Sequence, residues 1–230
     1  MRRKRSLWIL IFIFLFVFLA IELFLPGIAN RRLLEIFQQE IDGIEELEIN
    51  LRSFPALKIL FGRVDHVSIR SQGLLHDHLY LKKLNLNYDN ITLYRDDFVG
   101  ANSYLEAIIT EDALNKYLSK KYPEMGNFSL QINPEQILLQ GVLNLFDVKF
   151  NFQINGNLIL NDESQIYFVP DDLRVEEVNV PVKLIKAYIE EFAFVIDLKT
   201  LDIPIDIDEI KTGSSYILIT GGREGLDDSE

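Results

Sequence analysis

"VKFNFQINGNLIL", residues 148–160, decides how the chain is read. Val148, Phe150, Phe152, Ile154, Gly156, Leu158 and Leu160 fall in one phase of a two-residue period. Lys149, Asn151, Gln153, Asn155, Asn157 and Ile159 fall in the other. Successive side chains of a strand point to opposite faces, so the stretch predicts a strand with one covered and one wet face. At ~3.3 Å per residue its 13 residues would run about 43 Å, well beyond the usual strand, which predicts a large curved sheet.

The flanking sequence extends this pattern. Upstream, "FSLQI" and "QILLQGVLNL" read as strands around a turn at Asn133 and Pro134, and "YLEAIIT" (104–110) as another. Thr110 then has the form of an N-cap, with Glu111 and Asp112 in the first turn of a helix. Ala113, Leu114, Tyr117 and Leu118 supply that helix's buried stripe, and Pro123 ends it. Further upstream lie period-two segments at 47–52, 64–71 and 79–94. In the last, Leu79 and Leu81 are out of phase with Leu84 and Leu86, so a bulge near Lys82 and Lys83 is expected to restore one apolar face.

Downstream, "QIYFV" is a strand, and "PVKLIKAYIEEFAFVI" opens with Pro181 and places Leu184, Ile185, Tyr188, Ile189 and Phe192 on one side of a helix. "SYILIT" is a final strand, and residues 223–230 read as a mobile acidic tail. The expectation is one α+β domain over residues 28–222, a long curved antiparallel sheet of about eight strands packed on two or three helices.

The N-terminus has a different character. Arg2, Arg3, Lys4 and Arg5 precede an apolar run from Leu7 to Leu25 in which Glu22 is the one charge. As a helix these 19 residues rise about 28 Å, close to the ~30 Å hydrocarbon core of a bilayer. The run is longer than the apolar region of a secretory signal, so a retained anchor is preferred over cleavage near Gly27 and Ala29. A buried soluble helix would show a polar face. Glu22 lies near the outer end, where a carboxylate reaches the interface. Basic residues gather ahead of the span, with Arg31 and Arg32 after it, a bias that puts residues 1–6 in the cytoplasm and the domain outside. Pro26 and Gly27 are expected to break the helix. A second, amphipathic one would then carry Ile28, Leu33, Leu34, Phe37 and Ile41 on one side.

Composition narrows the function classes. The 230 residues are 48% apolar and 25% charged, the balance of a folding globular protein. With no cysteine there is no disulfide framework, thiolate metal site or cysteine nucleophile. The net charge is -12, and from residue 27 onward 19 basic residues stand against 34 acidic ones. Such a domain repels phosphate backbones, and no basic stripe with interleaved aromatics relieves this, which argues against nucleic acid.

The three histidines, His66, His76 and His78, raise the question of a metal. His76 and His78 would share a strand face, yet they sit where a hairpin turn is expected and lack a third ligand at metal spacing, so solvent-facing imidazoles are the simpler account. "TGSSY" (212–216) is not a nucleophile elbow. The adjacent carboxylates at Asp96 and Asp97, Asp171 and Asp172, and Glu176 and Glu177 would point to opposite faces of an extended chain. "DIDEIKTG" (206–213) places Ile210 at a calcium-ligand position. No metal, cofactor or catalytic residue is assigned. The apolar faces either fill a core or line a cavity for acyl chains, two cases that periodicity does not separate.

The order of these segments is itself informative. "LKILFGRVDHVSIRSQGLLHDHLYLKKLNLNYDNITL", "AIITEDALNKYL", "ILLQGVLNLFDVKFNFQINGNLIL" and "IPIDIDEIKTGSSYILITGG" together resemble the LmeA-type phospholipid-binding family of bacterial envelope proteins, over roughly residues 28–222. The resemblance implies a domain related to tubular lipid-binding folds, in which a curved sheet wraps a helix and acyl chains lie in the groove. It implies a role in envelope maintenance or lipid handling and carries over no catalytic residue. On this basis Phe150, Phe152, Ile154 and Leu158 are expected on the lipid-facing sheet, with Leu184, Tyr188 and Phe192 opposite. The partners expected are phospholipid and the membrane. The alternative is an envelope scaffold with a packed core that holds a protein partner.

Overall fold

The structure, a computed structural model, describes residues 2–40, 43–76, 78–94, 97–100, 102–123, 128–145, 148–161, 164–175, 178–180, 194–198 and 205–223. Among them an N-terminal apolar helix precedes two antiparallel sheets, an α+β architecture with few helices. The first sheet curls into a half-barrel. Its order is β1 (Glu46–Arg52), β2 (Arg63–His76), β3 (Leu79–Tyr94), β5 (Asn102–Thr110), β13 (Tyr216–Arg223) and β12 (Ile207–Gly213), with β4 (Asp97–Val99) paired to β3. The second has the order β10 (Val178–Val180), β9 (Gln165–Val175), β8 (Val148–Leu160), β7 (Ile137–Leu145) and β6 (Phe128–Ile132), with β11 (Val195–Asp197) paired to β9. The 13 described strands exceed the eight expected. β4, β10 and β11 have three residues each, too few for a periodic signal.

β8 occupies the residues its alternation predicted and lies inside the second sheet, Ile154 facing Leu139 of β7 and Leu173 of β9. β9 keeps its apolar residues inward by a bulge: Asn155 pairs with Asp172 but Gly156 with Pro170, which leaves Asp171 over. Pro170, without an N–H, is accommodated at that irregularity. Gly156 is required there, because a Cβ would come within 2.8 Å of the Phe168 ring.

The helix α2 (Glu111–Lys121) joins the two sheets. Its N-cap is Thr110, whose Oγ1 accepts from the Ala113 N–H at 3.3 Å, and Ala113, Leu114, Tyr117 and Leu118 are buried as the stripe predicted. The Asn115 side chain accepts from Leu130 N and donates to Leu130 O, both at 2.8 Å, so it pairs with edge strand β6 as a neighbouring backbone would. One contiguous core results, drawn from α2, from Leu84, Leu86, Leu105, Ile109, Ile217 and Ile219 of the first sheet, and from Ile132, Ile137, Leu139, Phe152, Ile154 and Ile166 of the second.

Two local expectations are corrected. The β2–β3 register is unshifted from Arg63↔Thr92 to His76↔Leu79, so no bulge lies at Lys82 and Lys83. Instead both strands change phase at one level. There, between the pairs Gln72↔Lys83 and Leu74↔Leu81, Gly73 adopts φ 68° and the change leaves no residue over. The N-terminal helix also does not stop at Pro26: α1 runs unbroken from Arg2 to Glu40. Proline removes one helical hydrogen bond, the one to the Glu22 carbonyl, and the chain tolerates this where α1 packs on β1. On that side the Asn30 Oδ1 accepts from the Leu51 N–H at 2.8 Å.

Candidate functional site

The inner face of the second sheet gathers part of the expected lipid-facing set. Phe152 and Ile154 are 2% and 0% exposed, covered by the chain's own core. Phe150 and Leu158, on the same face of β8, are half-buried, and Leu158 packs at the margin of that core. The Phe168 and Phe194 rings stack nearby at 5.3 Å. Leu184, Tyr188 and Phe192 lie outside the described residues. A groove of about 480 Å³ lies over β6, β7 and β8 on the opposite, wet face, where Ser129, Gln140, Val142, Asn151 and Gln153 line it. Gly141 stands between Phe128 and Phe152 in the register, in the inward phase of the sheet.

A second concavity lies on the face of the first sheet away from the core. This trough of about 1060 Å³ is lined by Arg70, Lys83, Asn85, Glu106, Ile108 and Tyr216 among others. A smaller hollow of about 380 Å³ shares Glu48 and Arg70 with it and continues to Arg52 and His66. In the larger trough Lys83 Nζ donates to Glu106 Oε1 at 2.6 Å, Asn85 Nδ2 donates to the same oxygen at 3.2 Å, and the Tyr104 hydroxyl donates to Oε2 at 3.2 Å. The Lys83 hydrogen bond chiefly holds the Glu106 carboxyl below its ordinary pKa, while desolvation and the Glu106 charge push the Tyr104 phenol up. Fixed charges of both signs suit polar or zwitterionic groups, not hydrocarbon. Sequence reading missed this trough because Lys83 and Glu106 come from different strands.

The histidines do not converge. His66 Nδ1 lies 2.6 Å from Asp89 Oδ1, its cross-strand partner, at one end of β2. His76 closes the other end, about 33 Å along the strand, and His78 sits in the turn beyond at φ 69°. Among the described residues no three His, Asp or Glu side chains form a metal-sized group.

At the other extremity, Trp8–Glu35 of α1 is the one described helix long and apolar enough to cross a membrane. No curated protein and no solved structure matches the chain. The sequence model of the LmeA-like phospholipid-binding family matches residues 21–222, from within α1 to the last but one residue of β13, and the chain belongs to that family.

Proposed function

We propose that the protein is a single-pass membrane protein whose extracytoplasmic domain binds phospholipid without covalent chemistry, in envelope maintenance or lipid handling. Family membership supports the ligand class, and α1 supports attachment to a membrane. The observation that carries the reading is the match of the phospholipid-binding family to residues 21–222, nearly the whole of the domain that holds the apolar inner phase of β8. In this reading Phe150, Phe152, Ile154 and Leu158 contact acyl chain, with Leu184, Tyr188 and Phe192 on the opposing side. Eight methylenes buried at ~0.8 kcal/mol each would supply about 6 kcal/mol before ordering costs.

The test is native mass spectrometry of the full chain released from detergent, with organic extraction of whatever it carries. Wild type is expected to retain about one phospholipid, and Phe150→Asp, which puts a charge at a half-buried position of the lipid-facing phase of β8, to retain several-fold less at an unchanged circular dichroism spectrum. A wild-type chain that stays bare after incubation with liposomes would overturn the reading. It would favour the second one, a scaffold with a packed core, which the near-complete burial of Phe152 and Ile154 supports.

A further inference from the structure

The ten residues between β1 and β2 expose apolar surface where a soluble domain would hide it. Phe54 is 75% exposed, Leu60 62% and Phe61 74%, more than any other described large apolar side chain outside α1. The segment is nonetheless tightly built. Residues Ala56–Phe61 form a 3-10 turn closed by Gly62 at φ 69°, Ala56 is fully buried, and Ile59 packs against the core. Asp65 clamps its base, accepting from the Phe54 N–H at 2.7 Å and from Lys58 Nζ at 2.9 Å. Two phenyl rings and a leucine are thus held outward by a rigid support, which calls for a partner for that surface.

The same turn is fastened to α1. Glu22 Oε2 accepts the Ala56 N–H at 2.7 Å, and α1 packs against the turn. Phe18, Ile21, Glu22 and Leu25, at helical spacing, are half-buried, in contrast to their exposed neighbours Leu19, Leu23 and Phe24. Glu22 lies 15 residues beyond Leu7, about 22 Å along the helix, whereas a bilayer's hydrocarbon is ~30 Å thick. A chain that spans with α1 therefore carries Ala56, one hydrogen bond from Glu22, to the depth of the leaflet on the domain side. The half-buried Glu22 carboxyl group finds a donor there, which gives a polar side chain inside the span a partner. Arg31 and Arg32, about 36 Å along α1 from Leu7 and so past the ~30 Å hydrocarbon, are exposed, as are Arg52 and Arg63 on either side of the turn, in a domain that is otherwise acidic.

We propose that Phe54, Leu60 and Phe61 form a wedge that enters the domain-side leaflet beside α1, so that the domain is seated in the lipid surface as well as tethered to it. The proposal rests on the reading of α1 as a membrane span. The lack of native cysteine makes the test direct. The full chain carrying Phe61→Cys is labelled with a nitroxide, reconstituted in phosphatidylcholine–phosphatidylglycerol vesicles, and its collision rates with oxygen and with a water-soluble nickel chelate are compared. Leu15→Cys serves as the span control and Glu135→Cys, in the β6–β7 turn, as the aqueous control; Leu60→Cys repeats the measurement at a second wedge position. Labels at both wedge positions are expected to favour oxygen over nickel several-fold, as at Leu15. Nickel access equal to that at Glu135 overturns the wedge alone. Shielding from both reagents also overturns it, in favour of a protein partner or a second copy. An aqueous reading at Leu15 removes the span and the wedge together.

Discussion

At Glu106 three donors from β3 and β5 meet one carboxylate: Lys83, Asn85 and Tyr104. The Lys83 hydrogen bond leads in lowering its pKa from the ordinary 4.5. A carboxyl whose folded value is depressed contributes stability that is complete above the unfolded value and is lost as pH falls through the folded one. Lys83→Met removes that contribution. The stability difference between wild type and variant, measured by thermal unfolding of the full chain in detergent, is therefore expected to be largest near neutral pH and to shrink as acid protonates Glu106. A difference that stays constant down to pH 3 or so would show that Lys83 acts through packing alone. The alternation of "YLEAIIT" already put Glu106 on the wet face, but its partners depend on which strand lies alongside.

Among the elements, α2 was the most legible and still withheld its main contact. The Thr110 cap and the four-residue apolar stripe are local patterns, and the structure reproduces both. Asn115, on the same helix, reads as an ordinary polar position, yet it satisfies both backbone groups of Leu130 at the edge of the second sheet. Asn115→Leu leaves an N–H and a C=O without a partner in a partly buried place, and is expected to lower stability by about 2 kcal/mol in urea unfolding, with an unchanged m-value. A loss within experimental error would mean that water replaces the side chain there. α1 shows the converse: Pro26 was a sound local signal for a break, overridden because packing on β1 and the 3-10 turn holds the helix on both sides of it.

For the whole molecule, the proposed orientation makes a simple prediction. In intact cells a membrane-impermeant maleimide is expected to label Glu135→Cys in the β6–β7 turn without lysis; labelling only after lysis would reverse the topology. Strand phase, the α2 cap and the apolar span were determined by the sequence itself, because each is set by residues one to four positions apart or by the hydropathy of one uninterrupted run. The family pattern was legible for a related reason, as an ordered series of such segments. The division into two sheets, the partners of Glu106 and the contact of Glu22 with Ala56, 34 positions away, were decided only by the tertiary structure. Those features depend on which strands become neighbours, and that choice is made by the burial of the whole core and the satisfaction of every backbone group at once, for which no short stretch of sequence carries a code.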